Sequence, residues 1–269
     1  MLMRLFDTHA HYDADAFDAD RMEVLSSMPG QGVELILNPG CDLESSQTAV
    51  ELAERFPFVY AAVGVHPEEC ADWNAEHDIP VLEALAQDPK VRAIGEIGLD
   101  YHWPENPPRE LQQQVFHAQL ELAEKLDLPV IVHDRDAHHD CLDIVRAHPN
   151  VTGVYHCYSG RVEDAKTLMK LGWMISFTGS ITFKNARRAL EVIDLLPLDR
   201  MMIETDSPYM SPEPFRGRRN DSGRVHLVAE AIARRKGLDP EEVARITLEN
   251  GKRFFNIKEA YHWVKEGYP

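Results

Sequence analysis

The sequence predicts a (β/α)8 TIM barrel with extra helices at its C-terminus. Three observations support this fold class: short apolar runs occur eight times, helical patterns separate them, and the length is 269 residues. A barrel of eight strand–helix units typically needs about 250 residues. Because no linker, low-complexity segment or change of composition divides the chain, we expect residues 1–269 to form a single domain.

The eight apolar runs are short and end in Gly, Pro, Asp or His, which is typical of buried parallel strands. Eight strands that alternate with helices favour a parallel sheet with right-handed crossovers, and eight is the number that closes a barrel. The predicted strands, in chain order, are Arg4–His11, Val33–Pro39, Val59–His66, Val91–Leu99, Leu128–His133, Gly153–Tyr158, Trp173–Thr178 and Met201–Asp206.

Apolar residues at intervals of three and four positions predict amphipathic helices between the strands. The clearest helix is Arg109–Leu126, where Leu111, Val115 and Leu122 fall on one face. Further helices are predicted at Ser45–Arg55, Asp140–Ala147, Val162–Leu171, Ala186–Leu196, Val225–Lys236, Glu241–Phe255 and Glu259–Lys265. We expect the last two to pack outside the barrel.

The formal net charge of −17 disfavours a protein that holds long duplex nucleic acid on a basic face. It allows a substrate that is engaged at one point, where bound divalent cations supply positive charge. No apolar run approaches the roughly 20 residues that span a bilayer, and no secretory signal is visible. The four cysteines include no Cys-x-x-Cys pair, which argues against a disulfide framework and a zinc ribbon. We therefore expect a cytoplasmic protein without a membrane partner.

The end of the first run, Asp7-Thr8-His9-Ala10-His11, carries the most information about function. Side chains two residues apart on a strand point to the same side, so His9 and His11 form half of a predicted metal site. We expect Asp7 to orient one of the imidazoles. Other runs also end in a histidine or carboxylate, namely at His66, Glu96, His133, His156, Glu204 and Asp206. These residues should converge, because the carboxyl ends of barrel strands form one face.

This number of imidazoles and carboxylates exceeds the ligands of one tetrahedral site. It suits two divalent cations about 4 Å apart that share a bridging carboxylate. Nitrogen and oxygen ligands without thiolate favour zinc, manganese or cobalt, and they allow magnesium at an oxygen-rich position. Such a centre activates water, so hydrolysis is the predicted reaction, of either a phosphoester or an amide.

Six motifs in this order make the chain resemble the TatD-type metal-dependent deoxyribonucleases. The resemblance runs from the first strand into the tail and includes the segments Thr182–Asn185 and Pro214–Asn220. The motifs are DTHAH at 7–11, GVHP at 64–67, GEIGLDY at 95–101, HDRDA at 133–137, HCYSG at 156–160 and ETDSPY at 204–209.

The resemblance implies a metal-dependent barrel that hydrolyses DNA phosphodiesters by trimming single-stranded 3′ ends, with two Mg²⁺, Mn²⁺ or Zn²⁺ ions. It implies a bridging role for Glu96, and contacts of His66 and Glu204 with the scissile phosphate or a further ion. Asp206 or Glu204 is expected to accept the proton of the attacking water. The residues that match the family's metal ligands are His9, His11, Glu96, His133, His156 and Asp206.

Several residues around this core are predicted to contact substrate. Arg135 and Asn220 are candidate phosphate contacts, with a salt bridge or a loop hydrogen bond as the alternative. The Arg216–Arg219 cluster could meet a nucleic-acid backbone or form a solvated loop. The aromatic residues that follow the fourth strand could stack on a base or pack over the barrel rim, namely Tyr101, His102 and Trp103. After Asn220 the chain departs from the family pattern and reads Asp-Ser-Gly-Arg at 221–224.

Two alternative functions remain open. One is another hydrolase on the same scaffold, which would cleave a cyclic amide, lactone, phosphotriester or aminoacyl ester. The absence of a lysine at the position where many amidohydrolases place a bridging lysine favours a carboxylate bridge by Glu96 instead. The other alternative is a metal-bound protein without catalytic activity, which the retention of every matched ligand disfavours. No obligate protein partner is predicted.

Overall fold

The computed structural model describes residues 2–258 and contains one eight-stranded sheet in the order β1 to β8. Each strand pairs in parallel with the next one along the chain. The strands are β1 (Leu5–Asp7), β2 (Val33–Pro39), β3 (Val59–Val63), β4 (Val91–Asp100), β5 (Val130–Arg135), β6 (Gly153–Tyr155), β7 (Met174–Phe177) and β8 (Met201–Ile203).

Backbone hydrogen bonds between the segment that follows β1 and the end of β8 join the two edges of the sheet. The amide of Thr8 donates to the carbonyl of Ile203 at 3.2 Å, and the amide of Asp206 donates to the carbonyl of His9 at 2.8 Å. The result is a (β/α)8 barrel with extra C-terminal helices, which confirms the predicted fold class.

Helices connect the strands and continue beyond the last one. Within the described residues the α-helices are α1 (Arg21–Ser27), α2 (Leu43–Arg55), α3 (Ala75–Leu85), α4 (Arg109–Leu126), α5 (His138–Ala147), α6 (Val162–Lys170), α7 (Arg187–Leu195), α8 (Val225–Lys236) and α9 (Pro240–Phe254). None of these helices combines the length and the apolar composition needed to cross a membrane.

The apolar side chains form two layers because successive strand residues face opposite sides of the sheet. Phe6, Leu35 and Leu37 belong to the smaller cluster, which fills the barrel, whereas Leu5 and Ile36 pack with the surrounding helices in the larger one. The segment around α9 contributes Leu248 and Phe255 to the smaller cluster. The C-terminal helix therefore covers the amino ends of the strands and leaves their carboxyl ends open.

Two helices of the structure, α1 and α3, are absent from the sequence prediction. Helix α1 has only seven residues, and α3 contains Pro80 and a weak apolar pattern, so periodicity gives little signal for either. The helix predicted at Glu259–Lys265 lies outside the described residues.

Several strands are shorter than predicted because the regular backbone ends just before the polar residues. Strand β1 ends at Asp7 rather than His11, and β8 ends at Ile203 rather than Asp206. Asp206 and Cys157 have positive φ values of 56° and 43°, which are outside strand geometry. The alternation of strand side chains therefore does not extend to these two residues.

A glycine permits the close contact of β4 and β5 beneath the site. Gly98 has a φ of 139°, and a Cβ atom there would lie 2.0 Å from the carbonyl oxygen of His133. Only glycine fits this conformation and spacing. The absence of a side chain at Gly98 thus lets His133 approach Glu96.

Candidate metal centre

The carboxyl ends of the strands surround a cavity of about 700 Å³. Glu96, at the end of the apolar part of β4, is only 2% exposed and lies on the wall of this cavity. Five histidines, His9, His11, His66, His133 and His156, place a ring nitrogen within 3.5 Å of its carboxylate. All five were predicted to converge here.

The two oxygens of Glu96 face different histidines. Oε2 lies 3.1 Å from His9 Nε2 and 3.3 Å from His11 Nε2. Oε1 lies 2.7 Å from His156 Nε2 and 2.9 Å from His133 Nδ1. The carboxylate therefore joins two groups of nitrogen donors, each on its own oxygen.

Asp206 completes the first group. Its Oδ1 lies 3.6 Å from His11 Nε2 and 3.8 Å from His9 Nε2. These two imidazole nitrogens are themselves only 3.0 Å apart. Two ring nitrogens and two carboxylate oxygens directed at one point form the donor set of a divalent cation, so the residues fit a metal ion.

The second group gathers around the other oxygen of Glu96. His66, Glu96 and His133 offer ligand atoms within 4.8 Å of one another, and His9 of the first group lies within the same distance of Glu96 and His156. Nδ1 of His66 accepts a hydrogen bond from the amide of Glu68 at 3.2 Å. This bond directs His66 Nε2 into the cavity, 3.5 Å from Glu96 Oε1.

Glu204 lies behind His156 rather than on the cavity wall. It is 1% exposed, and its carboxylate accepts hydrogen bonds from the amide of Cys157 at 2.6 Å and the hydroxyl of Ser176 at 2.7 Å. Oε1 also lies 3.3 Å from His156 Nδ1, as an ion-pair contact without hydrogen-bond geometry. Glu204 therefore contacts the site by way of His156. Its side chain is not exposed to the cavity, whereas we would expect such exposure of a residue that contacts substrate.

Asp7 does not orient an imidazole within the described residues, although the sequence predicts this role; it binds the segment after β8 instead. Its carboxylate accepts hydrogen bonds from the amide and the hydroxyl of Thr205, at 2.8 and 2.5 Å. It does not contact an imidazole within the described residues, and Nδ1 of His9 has no hydrogen-bond partner there. Asp7 thus ties β1 to the segment after β8, and in this way it holds the backbone that carries His9 and Asp206.

The two predicted phosphate contacts occupy different places. Arg135 lies at the end of β5 and lines the cavity, with its guanidinium 5.2 Å from the ring centroid of Trp103. Asn220 is fully buried outside the cavity, and its amide donates to the carbonyls of Thr205 and Tyr209 at 3.1 and 2.8 Å. Asn220 thus makes the loop hydrogen bonds that were the alternative to a phosphate contact.

Burial and mutual contact shift the pKa values of these groups. Burial tends to raise the pKa of Glu96, but His156, His9 and His66 hold it well below its usual range. Burial raises the pKa of Asp206 to about 6. Burial and the nearby His156 lower the pKa of His9 to about 4, so this imidazole is neutral at neutral pH. A neutral imidazole and an ionised carboxylate are the forms that bind metal ions.

Sequence reasoning missed four side chains that the structure brings to the site. Asp100 Oδ2 lies 2.9 Å from His133 Nε2, and the sequence marks position 100 only as part of the motif at 95–101. Cys41 lines the cavity with its Sγ 3.8 Å from His11 Nδ1. Carboxylates at Glu68 and Glu69 also line it. The location of Asp100 at the end of β4 was the available signal, whereas nothing in the sequence marked Cys41.

Comparisons with known proteins agree with this geometry. The family model described as TatD related DNase matches residues 6–256. The chain is 44% identical over 255 residues to the uncharacterized metal-dependent hydrolase YabD of Bacillus subtilis strain 168, covering 94% of this chain and 99% of that relative. It is 32% identical over 262 residues to the 3'-5' ssDNA/RNA exonuclease TatD of Salmonella typhimurium, covering 94% and 99%.

A solved structure agrees with these comparisons. The crystal structure of YjjV, a TatD homologue from Escherichia coli K12, superposes with a TM-score of 0.89 at 32% identity and covers 96% of this chain and all of that one. The family match, the relatives and the shared barrel show that the chain belongs to the TatD family of metal-dependent hydrolases, enzymes that act on ester bonds.

Proposed function

We propose that the enzyme uses two divalent metal ions to hydrolyse phosphodiesters at the 3′ ends of single-stranded DNA. The observation that carries this proposal is the division of the Glu96 carboxylate between two groups of ligands. A carboxylate with histidine nitrogens beside each of its two oxygens is the arrangement that would suit a pair of cations bridged by that carboxylate. RNA is a second substrate to test, because relatives from Salmonella typhimurium and Rahnella are named 3'-5' ssDNA/RNA exonucleases.

His9, His11 and Asp206 would hold one ion with Glu96 Oε2, and His133 and His156 would hold the other with Glu96 Oε1. The donors are nitrogen and oxygen atoms, which suit Mn²⁺, Zn²⁺ or Mg²⁺. Bound divalent ions supply Lewis acidity and lower the pKa of water.

The protein's own groups then have separate tasks. Asp206, whose carboxylate lines the cavity, accepts the proton of the attacking water. His66 Nε2 points into the cavity beside Glu96, where it can donate to a phosphate oxygen. Arg135 is the only arginine or lysine among the described cavity-lining residues, so we assign it the phosphate of the substrate.

Glu204 acts through another residue in this proposal. Its carboxylate is buried and lies 3.3 Å from His156 Nδ1, on the side of the ring opposite the nitrogen that faces Glu96. A carboxylate in this position fixes the orientation of a ligating imidazole and increases its basicity. We therefore propose a positioning role for Glu204 and leave the proton transfer to Asp206.

The cavity favours binding of the end of a single DNA strand over binding of a duplex. The ligand atoms of Glu96 are almost fully buried, so a phosphodiester must enter the cavity to reach them. A single-stranded end can enter in this way, whereas a duplex would meet the rim carboxylates Glu68 and Glu69. No lysine occurs among the described lining residues, which favours the carboxylate-bridged centre over a lysine-bridged amidohydrolase.

The domain organisation and the cellular location of the protein are also proposals. We propose that residues 1–269 form one domain, because the barrel and its C-terminal helix account for the described chain. We propose a cytoplasmic location because all four cysteines are free thiols, as is usual in a reducing compartment.

The proposal is tested with metal-stripped protein and single-stranded DNA labelled at either end. Addition of Mn²⁺, Mg²⁺ or Zn²⁺ should restore cleavage, and a 5′ label should report a ladder that shortens from the 3′ end. RNA, duplex DNA and a panel of lactones, cyclic amides, phosphotriesters and aminoacyl esters are assayed in parallel. Turnover of a panel compound combined with intact oligonucleotide under every metal would contradict the nuclease assignment.

A further inference from the structure

Two loops beside the cavity reverse the charge balance of the molecule. The whole chain has 45 acidic and 28 basic residues. Residues 178–190 and 207–220, which follow β7 and β8, contain only one acidic residue, Glu213. Their basic residues are Lys184, Arg187, Arg188, Arg216, Arg218 and Arg219. A concentration of positive charge on a strongly acidic protein indicates a site for an anionic partner.

The two loops pack against each other, which places Arg216 beside the segment that carries Lys184. The guanidinium of Arg216 lies 4.3 Å from the ring centroid of Phe183. The amide of Glu213 donates to the hydroxyl of Thr182 at 2.8 Å.

Four of the six cations are available for a ligand. Arg187 pairs with Glu191 at 2.9 Å, and Arg219 pairs with Asp20 at 2.7 Å. The other four are exposed and have no ion-pair partner within residues 2–258; we call them the basic surface, which consists of Lys184, Arg188, Arg216 and Arg218.

The stability of the fold does not explain this arrangement. Arg187 and Arg188 begin α7, whose first turn has no acidic residue. Cations are unfavourable at the amino end of a helix, where the helix dipole is positive. An anionic ligand would offset this cost, so the position of Arg188 favours a role in binding.

The basic surface continues from the cavity. Ser180 and Met210, which belong to the same two loops, line the cavity itself. Across the mouth, the segment after β3 contributes Glu68 and Glu69 to the wall. Strands β3 and β7 lie on opposite sides of an eight-stranded barrel, so the electrostatic field directs a polyanion away from β3 and out over β7 and β8.

We propose that the basic surface binds the phosphate backbone of the single strand upstream of the end that enters the cavity. This inference rests on the proposed function, because it gives the substrate of that site a direction across the protein. Recognition of this kind is independent of base sequence and depends on salt.

The test compares two triple variants with equal changes of charge. The first combines Lys184→Gln, Arg216→Gln and Arg218→Gln. The control combines Arg55→Gln, Lys166→Gln and Lys170→Gln, which are exposed cations on α2 and α6. Both are assayed with Mn²⁺ on 5′-labelled DNA of about 2, 8 and 20 nucleotides. Binding of the longest DNA is measured by fluorescence anisotropy, with each triple placed in an Asp206→Asn background.

For the first variant we expect KM on the longest DNA to rise about tenfold, with a smaller effect on shorter DNA. Removal of three phosphate contacts should also reduce the slope of log Kd against log salt by about 2. The control should match the wild type. An unchanged KM and salt slope, or an equal loss in the control, would overturn the inference.

Different results would contradict the basic surface and the proposed reaction. A wild type that cleaves DNA, with binding insensitive to the first triple variant, overturns the basic surface and leaves the reaction intact. A wild type that cleaves no nucleic acid, although Asp206→Asn protein binds it through these cations, overturns the proposed reaction and leaves the basic surface intact.

Discussion

Asp100 holds His133 from the side of the ring that faces away from Glu96. Asp100 Oδ2 lies 2.9 Å from His133 Nε2, and Glu96 Oε1 lies 2.9 Å from Nδ1 of the same ring. Asp100 is fully buried, and its other oxygen accepts a hydrogen bond from the amide of His102 at 2.9 Å. Because the carboxylate is itself fixed, it fixes the plane of the imidazole that faces the metal centre.

Replacement of this carboxylate should weaken metal binding while the fold is kept. We expect Asp100→Asn to lower the affinity for Mn²⁺ or Zn²⁺ by about 10- to 100-fold, because His133 loses its orienting charge. Competition with a chelating dye measures the affinity. The matched control is Asp136→Asn, since Asp136 pairs at 2.7 Å with the exposed His102. Equal affinity in the Asp100 variant and the wild type would contradict the role given to Asp100.

The side chain of Asn220 should stabilise the fold. Its buried amide donates to the carbonyls of Thr205 and Tyr209, which flank Asp206. We expect Asn220→Ala to lower the free energy of unfolding by about 1–3 kcal/mol, because two buried acceptors lose a donor. Thermal unfolding of metal-free protein measures this change. An unchanged melting temperature together with reduced nuclease activity would instead restore the phosphate contact.

Trp103 should bind a base of the substrate. Its side chain is 44% exposed, lines the cavity and has Arg135 above its ring. Stacking on an aromatic side chain contributes about 1–3 kcal/mol per base. We therefore expect Trp103→Ala to raise KM for single-stranded DNA by about 5- to 100-fold and Trp103→Phe to raise it less.

A substrate with an abasic residue near its 3′ end provides the control for Trp103. The KM of the wild type for this substrate should be as high as the KM of Trp103→Ala for normal DNA. The KM of the variant should be the same for both substrates. If the variant still prefers the normal substrate by the wild-type ratio, Trp103 does not stack on a base.

Metal affinity should rise with pH. Burial lowers the pKa of His133, but its hydrogen bonds with Asp100 and Glu96 outweigh burial and raise that pKa to about 9. Below this pH the metal-free protein keeps a proton on His133 that a cation must displace, so affinity should increase from about pH 6 to pH 9. Calorimetric titrations in buffers of different ionisation enthalpy count the released protons. No proton release at pH 7 would contradict this account.

The barrel could be predicted because its strands are buried and strongly patterned. Residues 91–99 and 130–133, for example, are apolar runs with clear ends, and the structure contains both as strands. Helix α3 was missed because Pro80 and its polar first turn hide the apolar pattern. The apolar pattern thus recovers elements that face the core and misses those with little apolar periodicity.

The site was predictable in part for a different reason. His9, Glu96 and His156 could be brought together because each lies near the carboxyl end of an apolar strand, and these ends meet at one face of a barrel. The partners of Asp7 and Asn220 could not be derived, because they depend on the irregular backbone after β8. Contacts made beyond the last regular strand residue leave no periodic signal in the sequence.

The central claim is that Glu96 bridges two ions that cleavage requires. The most direct measurement is a Mn²⁺ titration of metal-stripped protein in which bound metal per chain and oligonucleotide cleavage are recorded together. Glu96→Ala and Asp206→Asn are measured beside the wild type. We predict that wild-type cleavage appears only as the second ion binds, that Glu96→Ala binds fewer ions, and that neither variant cleaves. Full cleavage with one ion per chain, or an active Glu96→Ala variant, would contradict the account.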